Sequence, residues 1–370
     1  MKVLIINPIL ATPTATGLQR LSTIRDTMIY GMCLGFKSLG HQPTLIAADD
    51  FRPEAETESY DFPVLFFPTA RNKLLNPSLL PYMPSLTRWL REHGKEFDLI
   101  ISKECFSLAT LQAARVAPGQ LLVWQELAAH QRKFFRLPSR LWHNLVARRY
   151  MKNVAAVGCS PAARDFLRKY LPKTVGATVE HGIDDSKFYP VAIEEKKRRL
   201  ITSSQLIERK NVGSIIRKFA RLHAMPGYED VRLIVAGDGV QREMLEALVK
   251  ELGLTDSVEF VGFIPRERLG RLVASSLAFL VDTLADLNVI SIVESVAAGT
   301  PVVTNRVPLT APWIEREGLG IAKDGWDAAD LAEAVDKASA YAARCRAVAP
   351  SLTNSASARS LIELSPIHTK

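Results

Sequence analysis

Cysteine is scarce in this chain: four occur in 370 residues, Cys33, Cys105, Cys159 and Cys345, scattered and without a CxxC pair. That argues against both a disulfide framework and a zinc site, and it fits a reducing compartment. No uninterrupted apolar stretch approaches the ~20 residues that span a bilayer. The opening MKVLIINPIL has one basic residue and an apolar run too short for a signal peptide, so it reads as a first strand. These absences lead us to expect a cytoplasmic protein, soluble or peripheral on the inner face of a membrane. GxGxxG is missing, which removes the dinucleotide fingerprint. His, Asp and Glu nowhere cluster at ligand spacing, and Asp49-Asp50 and Asp184-Asp185 read as turn residues. Neither a metal nor a cofactor is therefore expected.

What is present is enough for two domains of ordinary size: 47% of the residues are hydrophobic and 23% charged. The net charge of +8 invites an acidic partner, whether nucleotide, nucleic acid or anionic lipid. Apolar runs at 3–7, 43–47, 64–67, 98–102, 121–125 and 155–159 read as strands, and helical stretches separate most of them. The first run is followed by a loop containing Gly17 and a helix that Gly40 closes, the start of a Rossmann-like half. Ser160-Pro161 is a helix start, with Ser as cap and Pro at the first helical position. After a charged run at 194–199 the alternation resumes, with strands at 200–204, 231–236 and 258–261. The expected class is α/β with parallel sheets, divided near residue 190.

Residues 278–305, AFLVDTLADLNVISIVESVAAGTPVVTN, form the most informative stretch. Two strand-length runs flank a polar corner and an amphipathic segment, which makes one strand–helix–strand unit. Asn288 is placed to cap the helix, and Gly299 suits a left-handed turn just past its end. The helix N-terminus then opens at the C-terminal edge of the sheet, where backbone N–H groups favour an anion. Asp286 lies in the corner and Glu294 follows eight positions on, about two turns into the helix by this reading.

Asp286, seven residues, Glu294 and then SVAAGTPVVTN resemble the signature of the retaining, nucleotide-sugar-dependent glycosyltransferases of the GT-B fold (glycosyl transferases group 1, family 4). The resemblance implies two Rossmann-like domains facing each other across a cleft. An acceptor-side domain would occupy 1–190, a donor domain 191–350, and a helix at 355–365 would fold back onto the first. Gly182-Ile183-Asp184, Phe188 and Pro190 match the family's interdomain segment, with His181 in place of its usual Asn. Lys210 matches the lysine that grips the donor diphosphate. Gln205 stands where the partner Arg belongs, and Arg209 is a substitute for it. Further donor contacts implied are Gly17, the loop Gly262-Phe263-Ile264 against the nucleobase, the amides of Leu287, Asn288 and Val289, and Glu294 on the ribose. Asp286 would contact the sugar, one methylene shorter than the family's Glu. Glu126 and His130, after the strand at 121–125, would serve the sugar or acceptor. The chemistry implied is metal-independent sugar transfer to a glycan or lipid-linked acceptor, in cell-surface polysaccharide or glycolipid biosynthesis. Gln205 and Asp286 leave open the alternative of a non-catalytic sugar-nucleotide-binding subunit, and a nucleotide-sugar epimerase of the same fold is a further alternative.

Residues 130–152 carry Arg132, Lys133, Arg136, Arg140, Arg148, Arg149 and Lys152, no acid, and interleaved Phe134, Phe135, Leu137 and Trp142. Two readings compete: an anionic membrane surface, or a helix with Leu141, Leu145 and Val146 turned to the core beneath a basic outer face. Nucleic acid is not expected as a partner.

Overall fold

The computed structural model describes residues 1–11, 21, 23–53, 59–70, 80–131, 136–286 and 289–367. Gly17, Arg132, Lys133, Phe134, Phe135, Leu287 and Asn288 lie outside the described residues. The chain divides into two compact units, residues 1–182 with 354–370, and 183–353.

The first unit is built on a seven-stranded sheet: β1 (Lys2–Ile6), β2 (Gln42–Ala48), β3 (Val64–Phe67), β4 (Leu99–Lys103), β5 (Leu121–Gln125), β6 (Ala155–Gly158) and β7 (Thr174–Thr178). Its order is β3-β2-β1-β4-β5-β6-β7, and every pairing is parallel. KVLII, LIISK and LLVWQ are nearly unbroken apolar runs because helices cover both faces of a parallel sheet. Helix Met28–Ser38 starts where the Thr27 hydroxyl accepts from the Tyr30 amide at 3.3 Å. The last helix, Asn354–Glu363, lies against it so closely that a Cβ at Gly35 would overlap the Asn354 carbonyl. Glycine is what permits that crossing.

The second unit has a six-stranded sheet: β8 (Arg199–Ser203), β9 (Arg232–Ala236), β10 (Val258–Gly262), β11 (Ala278–Val281), β12 (Val302–Thr304) and β13 (Gly320–Ala322). The order β10-β9-β8-β11-β12-β13 is again parallel throughout. Strand order reverses between β1 and β4 in one sheet and between β8 and β11 in the other. Such switch points, beyond the carboxyl ends of the strands, are where open α/β sheets bind ligands. Strands β7 and β13 are additions to the sequence reading; TVGAT and GIA are too short and glycine-bearing to register as apolar runs.

Candidate functional site

Lys210 follows β8 and Asp286 follows β11, so the switch point of the second sheet brings them together across 76 positions. The Asp286 carboxylate accepts from Lys210 Nζ through Oδ2 and from Arg209 Nη1 through Oδ1. Thr283 locks the two loops: its hydroxyl donates to the Arg209 carbonyl at 3.0 Å and accepts from the Asp286 amide at 3.2 Å. The same carbonyl accepts from the Leu284 amide at 2.9 Å. Burial, and after it the adjacent Arg209, pull the Lys210 ammonium below the usual lysine range.

A pocket opens here, lined by Ser203, Ser204, Lys210, Asp282, Asp286, Val289 and Ser291 among others. Lys210 precedes helix Val212–His223 and Ser291 lies in the first turn of helix Ile290–Ala297, so two helix starts border it. Asn211, with φ +52°, turns the chain into the first of these helices. Beneath the pocket Asp282 accepts from Lys218 at 2.7 Å, and that ammonium sits 3.9 Å over the ring centre of buried Trp326. Gly237, at φ +125°, lets the turn after β9 approach the loop after β8; a Cβ there would overlap the Ser204 carbonyl oxygen.

Gln205, Gly262, Phe263, Ile264 and Glu294 do not line this pocket, while Val289 does. Gln205 is exposed. Gly262 adopts φ +67° at the end of the edge strand β10, where Phe263 is 90% exposed and Ile264 is buried. Helix Ile290–Ala297 begins later than the sequence reading placed it, with Val289 in the cap position and no side-chain cap. Glu294 is thus its fifth residue, just over one turn in rather than two. It is buried, does not line the pocket, and accepts from Arg266 Nη2. Arg266 stands 28 positions away at the start of helix Arg266–Ala274, which is why no local spacing pointed to it.

In the first unit Glu126 follows β5 and meets Lys103, the last residue of β4, at 3.3 Å and His181 Nε2 at 3.4 Å. The His181 contact, helped by Lys103, holds the Glu126 carboxyl down at about 2. Burial and Lys103 lower His181, keeping its imidazole neutral. The sequence reading makes neither Lys103 nor His181 a site residue; His181 stands out there only as a departure from the usual Asn. His130 does not join this group. Its Nδ1 meets Ser139 Oγ and its Nε2 the Tyr170 hydroxyl, both at 3.1 Å, in a nest with His143 and Phe166.

That nest decides the orientation of the basic helix, which runs through Leu137–Leu141, Trp142–Ala147 and Arg148–Tyr150 with a wide π turn in its middle. Ser139, His143 and Ala147 face inward. Leu137, Leu141 and Leu145 are 58%, 50% and 64% exposed, so the core-facing reading of Leu141 and Leu145 is corrected. No helix of the described residues is long and apolar enough to cross a membrane.

The family model for glycosyl transferases group 1 matches residues 184–348, and that for glycosyltransferase family 4 matches residues 26–187. An α-monoglucosyldiacylglycerol synthase of Streptococcus pneumoniae is 26% identical over 178 residues, covering 44% of this chain and 40% of that protein. An MMP α-(1→4)-mannosyltransferase of Mycolicibacterium hassiacum is 24% identical over 225 residues, covering 57% and 54%. The chain thus matches under two thirds of the length of these curated relatives. Among solved structures, HepE of Anabaena in complex with UDP superposes with a TM-score of 0.63 at 17% identity, covering 98% of this chain and 99% of that one. A glycosyltransferase from Rickettsia africae gives 0.63 at 13% identity, covering 98% and 97%.

Proposed function

We propose that this chain, which belongs to the glycosyltransferases of the GT-B fold, moves a sugar from a nucleotide-sugar donor to a glycan or lipid-linked acceptor with retention of anomeric configuration. The observation that carries the reading is the placement of Lys210, Arg209 and Asp286 at the switch point of the second sheet, beside two helix starts. Sugar transfer from a nucleotide needs the leaving diphosphate held and its growing charge neutralised. The two cations on one carboxylate supply that charge, and Asp286 is positioned to pass them to the phosphates while turning to the sugar. The UDP bound by HepE supports a nucleotide donor, and the α-monoglucosyldiacylglycerol synthase among the relatives supports a glycolipid product. A panel of nucleotide sugars tests this: slow release of free sugar is expected from one of them. Binding without release or transfer would leave the chain a non-catalytic binding protein, and interconversion of donors would make it an epimerase.

The clamp as drawn needs no divalent ion. Turnover is expected to persist in EDTA; complete loss, restored by manganese, would overturn it.

We further propose that the exposed face of residues 136–150 rests on an anionic membrane. Leu137, Leu141 and Leu145 stand outward along one line, flanked by Arg136, Arg140 and Arg149. Each basic residue near such a surface is worth about 1 kcal/mol at low salt. Neutralising Arg136, Arg140 and Arg149 together is expected to lower partitioning onto phosphatidylglycerol vesicles by roughly 100-fold. Unchanged co-sedimentation would return the helix to an ordinary solvated face.

A further inference from the structure

The donor pocket sits at the carboxyl ends of β8 and β11. A second cavity, of about 530 Å³, opens at the amino ends of β8, β9 and β10, and it is as large as many ligand sites. Arg199 begins β8 and Ser203, in the donor pocket, ends it, so roughly 13 Å of strand separates the two openings. Charged residues dominate the second one: Lys197, Arg198, Arg199, Arg232, Asp256 and Glu259 line it. Ile234 and Val258, both buried, give it an apolar floor.

The register of the sheet explains why these side chains converge. Arg199 is the partner of Arg232, Ile201 of Ile234, and Ile234 of Glu259. Alternation along each strand then places Arg199, Arg232 and Glu259 on the face that carries Ile201 and Ile234. Helix Arg266–Ala274 packs on that face through Val273 and Ala274. Its last turn reaches β8, where the Leu272 carbonyl and the Ser275 and Ser276 hydroxyls accept from the Arg199 guanidinium. Arg232 and Glu259, farther along the sheet, stay exposed.

Two guanidiniums side by side on adjacent strands repel each other. Every acceptor of Arg199 is neutral, and Arg232 and Lys197 have no side-chain partner among the described residues. Burial pulls Arg199 below the usual arginine range, and the charge of Glu259 offsets this only in part. Arg198 is the exception, held by Asp230 and by the Gly227 carbonyl, each at 2.7 Å. Lys197, Arg199 and Arg232 thus line the cavity without an acid partner, and Asp256 and Glu259 line it without a basic one. Opposite charges that share a cavity and do not meet leave room for a molecule between them, anionic at one end and hydrogen-bond donating at the other. Adjacent guanidiniums match the oxygens of a phosphate, and three cations suit a dianion better than a single carboxylate. The two acids accept from hydroxyl or ammonium groups.

We infer that this cavity is a second ligand site, which takes a small phosphate monoester with hydroxyl or ammonium groups at its far end. Lys197, Arg199 and Arg232 hold the phosphate, and Asp256 and Glu259 hold the far end. The site lies at the opposite end of the sheet from the donor clamp and stands whether or not the sugar-transfer reading holds.

Calorimetric titration of the full chain tests this, with ribose 5-phosphate, phosphoethanolamine and inorganic phosphate as probes and ribose as the uncharged control. The clamp of Lys210 and Arg209 has its own attraction for phosphate, so the titrations are run in Lys210→Met as well as in the unaltered chain. Saturable binding of at least one monoester is expected in both, tighter than that of inorganic phosphate, with none of ribose. The tighter of the two monoesters tells a hydroxyl far end from an ammonium one. Arg232→Gln changes an exposed side chain outside the core, and is expected to weaken monoester and inorganic phosphate alike at least roughly tenfold. Glu259→Gln should separate them, weakening the monoester and strengthening inorganic phosphate. Binding that vanishes in Lys210→Met but survives in Arg232→Gln would place the phosphate on the donor clamp and overturn the second site. Absence of saturable monoester binding, or ribose binding as tightly as ribose 5-phosphate, would overturn it too.

Discussion

Lys210→Met is expected to lower kcat/KM for the nucleotide-sugar donor by roughly 100- to 1000-fold, the usual loss when one preorganised donor to a developing anion is removed. The methionine stem keeps most of the apolar volume of a side chain that is 20% exposed, so the substitution removes charge rather than packing. Most of the loss should fall on kcat. The bond to the sugar breaks as charge builds on the diphosphate, and an ammonium that strengthens its hold at that moment acts in the transition state. Arg209 bonds to the other carboxylate oxygen of Asp286 and is more exposed, so Arg209→Ala should cost less. A rise in KM with kcat unchanged would mean that Lys210 only tethers the donor. No effect at all would remove it from the clamp.

The sequence disclosed the strands around both switch points because buried parallel strands are written as apolar runs. It singled out Lys210 and Asp286 through two separate motifs, and only the folded sheet brings them into contact. Loop geometry was legible only in part. The sequence places the helix cap at Asn288 and Glu294 about two turns in, but Val289 holds the cap position and the helix begins at Ile290, so Glu294 stands just over one turn in and is buried. Its partner Arg266 belongs to another helix, and only the folded sheet brings the two together. The basic stretch shows a different limit. Leu137, Leu141 and Leu145 share a four-residue spacing with Ser139, His143 and Ala147, and periodicity says that a face exists without saying which way it turns. The aromatic nest of His130, Phe166 and Tyr170 decides it, by accepting His143 and leaving the leucines outside. Lys103 escaped notice because a lysine at the end of a strand is ordinarily a solvated one; its burial over Trp124 is a tertiary fact.

Asp286 and Glu294 are expected to separate in their effects, and the ion pairs each one makes alter the form that separation takes. From sequence, Asp286 would touch only the sugar, and Asp286→Asn would leave free-nucleotide affinity nearly unchanged. Its carboxylate is instead the counter-ion of Arg209 and Lys210. A diphosphate entering the pocket competes with it for the same two cations. Removing its charge should therefore strengthen the free nucleoside diphosphate by about tenfold, the weight of one charge-assisted hydrogen bond. Turnover of the nucleotide sugar should fall in the same variant, because the group that accepts from the sugar as the bond breaks is weakened. Tighter product and slower chemistry together form a signature that a merely structural aspartate does not produce. Asp286→Glu then reports on the missing methylene: a gain marks a degraded site, a loss one adapted to its own donor. Glu294→Gln acts differently. It leaves the Arg266 guanidinium without its anion and removes the group proposed to hold the ribose, so free nucleotide and nucleotide sugar should weaken alike, by about 1.5 to 3 kcal/mol. Calorimetric titration of UDP, GDP and the matching sugar nucleotides into the three variants reads all of this at once. Equal weakening of the free nucleotide by Asp286→Asn and Glu294→Gln would defeat the division of labour. An unchanged diphosphate affinity in Asp286→Asn would show that the carboxylate does not compete with the donor for the clamp.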